Sequence, residues 1–324
     1  MTMYIGVDIG GTNIAAGIVD GDGKITARAK ASTLPSRGAR AVIEDSSRLC
    51  RDLASRAGLK PKDIGGVGVA VPGSVDPREG IVLFAPNIPF ENTPVAGWMR
   101  ESLGCPVFVE NDANAAALGE VRAGAARGCS SALVVTLGTG VGGGVILDGK
   151  VYSGFNGAGG EVGHMVIEAG GRLCGCGREG CWEMYSSATG LIRMTREAIE
   201  KHPDSVMCEM TAELGKVSGK TAFKAARQGD AAGQAVVDMY IRYLAIGIGN
   251  VINIFQPEML CIGGGVCNEG EHLMNPLLKA VGREQFKGGD KTTKICVAKL
   301  GNDAGIIGAA MLCEQSKTNG RGCV

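Results

Sequence analysis

A chain of 324 residues is long enough for two lobes of roughly 100 to 200 residues, each with its own core. Its 33 Lys and Arg balance 33 Asp and Glu, so no basic field exists to hold a nucleic acid or an anionic membrane, and 4% aromatic residues make few stacking platforms for single strands. The 53 glycines are more than twice the usual share of about 7% and call for tight turns and close backbone approaches.

In chain order, a strand at 4–9 follows Met1 with neither a charged leader nor an apolar h-region; no secretory signal is expected, and the cytoplasm is the default compartment. Residues 39–57 place Val42, Ser46, Leu49 and Leu53 at helical spacing, and 67–71 is a short β-branched run ending at Pro72-Gly73. Another strand is expected at 106–110, then a helix at 113–122 with Asn111 or Asp112 as its N-cap. The longest apolar stretch, 132–147, is broken by glycines and falls short of the roughly 20 residues of a membrane span. Residues 187–201 and 233–255 read as helices, the second long and largely buried, and 259–262 as a strand feeding Gly263, Gly264 and Gly265. A last helix at 304–315 fits either lobe, and 316–324 is expected to fray. Strands alternating with helices define an α/β class with mixed sheets covered by helices.

One long internal repeat organises this pattern. Laying 5–22 over 133–150 without gaps pairs Gly10 with Gly138, Ile18 with Ile146, Asp20 with Asp148 and Gly21 with Gly149. A single long offset points to two similar lobes, each opening with a hairpin tipped by glycine. Residues 138–143 match G-x-G-x-x-G, but the segment continues as strand and turn where a dinucleotide fold must open a helix. Asp8-Ile-Gly-Gly-Thr-Asn13 lacks the Gly-Lys-Ser/Thr ending of a P-loop. Two glycine-tipped hairpins can clamp phosphates with backbone N–H groups and the Thr12 and Thr139 hydroxyls, or can be plain turns.

The metal signal is sharper. His164 precedes Cys174-Gly-Cys176-Gly-Arg-Glu-Gly-Cys181, three soft thiolates and an imidazole that match tetrahedral zinc with no open position, hence a structural ion. Cys50, Cys105, Cys129, Cys208, Cys261, Cys267, Cys296, Cys313 and Cys323 show no such grouping and read as small hydrophobes or bystanders, in a chain expected to keep its thiols reduced. Asp112 stands where an apolar strand meets a helix, at the sheet edge that faces ligands in α/β folds. There it can take a proton from a hydroxyl, with Asn111 orienting the substrate, or simply cap the helix. Glu161, His164 and Glu183 flank the zinc loop.

Together these motifs resemble the ROK family of bacterial sugar kinases, within the actin, hexokinase and chaperone ATPase superfamily, over nearly the whole chain. The marks are Gly6-Val-Asp-Ile-Gly-Gly-Thr-Asn13, Glu110-Asn-Asp-Ala-Asn-Ala115, Leu137-Gly-Thr-Gly-Val-Gly-Gly-Gly144, Gly160-Glu-Val-Gly-His-Met165 and Cys174-Gly-Cys-Gly-Arg-Glu-Gly-Cys-Trp-Glu183. Within the family, Asp-Ile-Gly-Gly-Thr-Asn and Ser186-Ser-Ala-Thr-Gly190 are most similar to ATP-dependent glucokinases. Fructokinases and amino-sugar kinases stay open.

The resemblance implies a two-lobed actin-like or hexokinase-like ATPase fold with ribonuclease H-like sheets and a sugar and ATP cleft. The small lobe would take 1–117 with 303–324, and the larger 118–302. It makes Asp112 the general base on a hexose 6-hydroxyl, and gives the other sugar contacts to Gly73, Asn87, Asn111, Glu161, His164 and Glu183. ATP and Mg²⁺ fall to Asp8, Gly10, Gly11, Thr12, Asn13, Thr139, Gly140, Gly264 and Gly265, with Asp8 reaching the metal through water. His164, Cys174, Cys176 and Cys181 would hold zinc, and the protein would be a homodimer. Trp182 and Ile88-Pro-Phe90 depart from the family pattern near the expected sugar, leaving its identity open. The family also includes transcriptional repressors with a helix-turn-helix ahead of the sugar fold. The strand beginning at Tyr4 and the neutral charge favour the kinase reading over a non-catalytic sensor.

Overall fold

The computed structural model describes residues 2–286 and 292–318. Packing divides the chain into two units: Met1–Val134 with Gly144–Gly160 and Ala298–Val324, and Val135–Gly143 with Glu161–Val297. The division expected at 117 falls inside a helix, Asp112–Ala123, that packs against the last helix of the chain within the first unit.

The first unit opens with β1 (Met3–Ile9), β2 (Asn13–Val19) and β3 (Ile25–Ser32). Helix α1 (Ala39–Arg56) leads to β4 (Ile64–Val71), the short strands β5 (Ser74–Asp76), β6 (Ile81–Phe84) and β7 (Glu91–Thr93), then α2 (Val95–Leu103), β8 (Val107–Asn111) and α3 (Asp112–Ala123). A five-stranded sheet runs β3-β2-β1-β4-β8, and β5-β6-β7 form a small antiparallel sheet. Because strand side chains alternate between faces, Ile5, Val7 and Ile9 of β1 and Val67, Val69 and Val71 of β4 join Val42, Ile43, Leu53, Val95 and Met99 in one core. The opposite face carries Gly6, Asp8, Gly68 and Ala70.

That opposite face takes the final helix at very close range. A Cβ on Gly68 would stand 1.7 Å from the Ala309 carbonyl oxygen, and one on Gly308 1.6 Å from the Ala115 carbonyl oxygen. Only glycine lets the last helix lie that near both the sheet and α3, and interiors this dense leave no slack for a side chain.

The hairpin pattern then recurs as β9 (Ala132–Leu137) and β10 (Val141–Leu147), followed by β11 (Lys150–Val151). Helices α4 (Glu183–Ser186), α5 (Ala188–Lys201), α6 (Val206–Leu214), α7 (Thr221–Arg227) and α8 (Ala231–Phe255) precede β12 (Met259–Gly263), α9 (Glu271–Glu284), β13 (Lys294–Val297) and α10 (Ala304–Thr318). The second large sheet runs β11-β10-β9-β12-β13. Its order repeats that of the first: hairpin, then two further strands. The repeat at an offset of 128 residues thus marks equivalent sheets, with β10 starting at 141 as β2 starts at 13.

Among the described residues one helix, α8, is long and apolar enough to cross a membrane, and 61% of its most apolar stretch is buried in protein, as a core helix requires. Helix α10 continues past the expected frayed start at 316, and 319–324, with Cys323, lie outside the described residues.

Candidate active site

In the first unit, Asp8, Ala70 and Glu110 are register partners across β1, β4 and β8, so the chain leaves all three strands at one edge of the sheet. Asn111 caps α3: its Oδ1 accepts from the N–H groups of Ala113 at 2.9 Å and Asn114 at 3.2 Å. Its Nδ2 donates to the Gly73 carbonyl at 2.9 Å. The cap is therefore Asn111, and Asp112 is the first helical residue. Asp112 also accepts from Ala113 N–H at 2.8 Å, but it is exposed on its surface.

Two carboxylates face each other electrostatically here. Burial, and then the negative charge of Asp112, lift Asp8 from 3.8 to about 6. Although Asp112 keeps an exposed surface, the protein packed around its carboxylate takes away part of its water and lifts it above the ordinary carboxylate range, against the pull of the Ala113 N–H. A proton acceptor with a raised pKa is a stronger base than a free aspartate.

The β1–β2 turn sits beside them. Gly10 N–H bonds to the Asn13 carbonyl at 2.9 Å, and Thr33 braces the turn from β3's end, with its N–H on the Thr12 carbonyl at 3.0 Å and its hydroxyl on the Gly10 carbonyl at 2.6 Å. Gly11 packs against Asn87, whose Cβ would be 3.1 Å from a Cβ at position 11. Thr12, Asn13 and Asn87 are exposed. Asn87 is carried on a loop anchored by Ile88 and Phe90, which are 4% and 1% exposed. Those two departures from the family pattern belong to the core of the first unit.

The second unit assembles the other expected residues. In the β9–β10 turn, Gly138 N–H bonds to the Gly140 carbonyl at 3.0 Å, and the first amide of α5, Ala188, bonds to the Gly138 carbonyl at 2.9 Å. Gly264, at φ +104°, packs its Cα against the Leu137 carbonyl oxygen, 2.2 Å from where its Cβ would be. Thr139, Gly140, Gly264 and Gly265 therefore share one neighbourhood. The turn holding Glu161 and His164 is fixed by His164 N–H on the Glu161 carbonyl at 3.1 Å. Within it, Gly163 lies against Val141, a residue beyond Gly140.

His164, Cys174, Cys176 and Cys181 present ligand atoms that all lie within 4.8 Å of one another. Cys174 Sγ is 3.7 Å from His164 Nδ1, and Cys176 Sγ is 3.6 Å from Cys181 Sγ. Tetrahedral zinc with Zn–S bonds of about 2.3 Å separates its sulfurs by about 3.8 Å, so the donor set fits that ion in spacing and chemistry. Trp182, next in the chain, is fully buried, and its indole N–H donates to the Tyr243 carbonyl at 3.1 Å. It belongs to the core around α8, its ring against Gly247.

Two contributors escaped the sequence reading. Glu110, 4% exposed, accepts from Asn111 N–H at 2.9 Å, Asn114 Nδ2 at 3.0 Å and the Ser153 hydroxyl at 2.9 Å. It ties down the segment that presents Asp112, and burial still raises its pKa. Thr33 is the second, signalled only by its place after the alternating run of β3. Cys261 and Cys296, read as ungrouped, are register partners on β12 and β13 with sulfurs 3.7 Å apart.

The mixed α/β fold, with two five-stranded sheets of like order, matches solved structures of ROK family sugar kinases, which have the two-lobed hexokinase-like ATPase fold. The ROK family model matches residues 4–316, and the chain belongs to the ROK family. The glucokinase of Thermotoga maritima is 38% identical over 312 residues, covering 96% of this chain and 97% of that protein. The crystal structure of a ROK family glucokinase from Streptomyces griseus in complex with glucose and AMPPNP is 36% identical with a TM-score of 0.78, covering 97% of this chain and 99% of that one. The ROK hexokinase from Thermus thermophilus is 34% identical with a TM-score of 0.83, covering 98% and 100%.

Proposed function

We propose that this chain is an ATP-dependent glucokinase that phosphorylates the 6-hydroxyl of glucose. The observation that carries the reading is the placement of an exposed Asp112 with a raised pKa on the same sheet edge as Asp8 and the β1–β2 turn. Similarity to glucokinases over nearly the whole chain supports it.

In the proposed reaction the glucose O6 forms a bond to the γ-phosphorus while the bond from that phosphorus to the β–γ bridging oxygen breaks, and ADP leaves. Asp112 accepts the O6 proton. Phosphoryl transfer depends mostly on positioning and charge neutralisation, which assigns the phosphates to the amides of Gly11, Thr12 and Asn13, in a turn that Gly10 closes through its own N–H on the Asn13 carbonyl, and to those of Thr139 and Gly140. Gly264 and Gly265 take the adenosine, with open space beside Gly265. Mg²⁺ would supply charge neutralisation on the triphosphate, and Asp8, lifted by burial and then by the Asp112 carboxylate, suits a site beside a divalent cation.

Asn87, Asn111 and the Gly73 backbone hold sugar hydroxyls. Asn111 does so with its one amide hydrogen left over after capping α3 and bonding Gly73. By likeness to the glucokinases, Glu161, His164 and Glu183 are assigned to sugar hydroxyls as well. With His164 Nδ1 turned to the thiolates, Nε2 carries the proton and donates to a sugar oxygen. The zinc site orders this loop without entering the chemistry.

A panel of glucose, mannose, fructose, N-acetylglucosamine and N-acetylmannosamine at fixed MgATP tests the assignment. Glucose is expected to give the highest kcat/KM. Preference for another of these sugars would move the chain to that sugar's kinase, and no turnover with any of them would refute the kinase reading.

A further inference from the structure

Glu183 has contacts that a sugar ligand alone does not need. Its backbone is clamped, because Cys181 before it is buried in the four-ligand cluster and the Trp182 ring is locked against Gly247 of α8. From that fixed base, Oε2 accepts from Val141 N–H at 3.1 Å. The same oxygen stands 2.0 Å from the position a Cβ on Gly140 would take. The other oxygen, Oε1, is 3.7 Å from Cys174 Sγ. One carboxylate thus spans from the cysteine loop to the end of the β9–β10 turn.

We propose that Glu183 is a positioning residue for the nucleotide: a strut that holds the Thr139–Gly140–Val141 backbone in the shape that receives phosphate oxygens. The inference rests on reading this turn as the phosphate site. Glycine at 140 is then required by the strut as much as by the phosphate, since any side chain would push the carboxylate off Val141. Order in the cysteine loop reaches the turn through this bond, and a sugar hydroxyl accepted by the same carboxylate would couple sugar and nucleotide affinities through one group.

The test uses full-length, metal-loaded protein, with AMPPNP and glucose affinities measured separately by calorimetry and amide hydrogen exchange followed over 138–143 without ligand. Glu183→Ala is expected to weaken AMPPNP binding by about tenfold or more, as for loss of a hydrogen bond to a charged acceptor, and to speed exchange at Val141 with the metal content unchanged. Glu183→Gln keeps an acceptor oxygen, so it is expected to rescue Val141 protection and most nucleotide affinity while still weakening glucose binding. Gly140→Ala is expected to match Glu183→Ala in exchange and nucleotide affinity. If Glu183→Ala does not fold, Glu183→Gln and Gly140→Ala carry the test. Unchanged Val141 exchange and AMPPNP affinity in Glu183→Ala or Gly140→Ala, with only glucose binding lowered, would leave Glu183 a sugar ligand and overturn the strut. Loss of Val141 protection in Glu183→Gln equal to that in Gly140→Ala would also count against it. A parent protein that binds glucose but no AMPPNP would instead overturn the nucleotide reading of the turn, and the strut with it.

Discussion

The two hairpin turns start from similar sequence and are held by different chemistry. Each has three residues between its strands, Gly10 to Thr12 and Gly138 to Gly140. The first is braced by a buried threonine that supplies an N–H and a hydroxyl to turn carbonyls. The second is braced by a carboxylate that takes an amide hydrogen from its far side, and by the N-terminal amide of α5 on Gly138. A neutral brace on the turn that follows Asp8 adds no charge where burial and the Asp112 carboxylate already raise the cost of ionising Asp8. A charged brace beside the cysteine cluster joins the turn to a loop with little regular structure of its own. The repeat therefore conserves backbone geometry while its supports diverge with the electrostatics of each unit.

The largest effect on this contrast should come from the metal side. The parent protein is expected to hold about one zinc ion per chain, a closed four-ligand site. Cys176→Ser is expected to lose it, weaken glucose binding and loosen 138–143 in amide exchange while leaving the β1–β2 turn protected. A metal-free parent with full activity would remove the zinc from the account. Elemental analysis together with exchange reads both.

Next in size is Asp8→Asn. Asp8 titrates at about 6 in the folded chain against 3.8 for the free side chain. The folded state thus binds its proton more tightly, and stability falls as pH rises from 3.8 to about 6. Above that window the ionised carboxylate costs up to about 3 kcal/mol. Asp8→Asn should raise Tm at pH 7, with the gain shrinking toward pH 4, and should lower kcat at every pH. An equal Tm in both proteins at pH 7 would contradict the burial argument. Smallest is Thr33→Val, which removes one hydroxyl from Gly10 and is expected to cost about 1 kcal/mol in chemical denaturation, with no change in zinc content.

How much of this was legible depended on the range of the signal. The hairpins, a cap for α3 at Asn111 or Asp112, the grouping of His164 with three cysteines and helices such as α8 are written in neighbouring residues, through alternation, cap chemistry and spacing. β3 was legible in principle from the alternation of Ile25–Ser32, whose residues turn half-buried and exposed in strict order. Partners that meet across the fold left no local mark. Thr33 meets Gly10, Ser153 meets Glu110 across 43 residues, and Cys296 pairs with Cys261 across 35. Trp182, a departure from the family pattern, has its ring packed on Gly247 of α8, a partner more than sixty residues away that no local pattern signals. The division expected at 117 cuts through α3, whose packing on α10 joins residues almost two hundred apart and likewise leaves no local mark.

The most direct test of the central claim is a coupled assay of glucose-dependent ADP release, comparing the parent with Asp112→Asn. Removing the proton acceptor is expected to lower kcat by about 10²-fold or more, with glucose affinity largely kept and the acid limb of the parent's pH profile displaced above the ordinary aspartate range. Equal turnover in the two proteins would contradict the account.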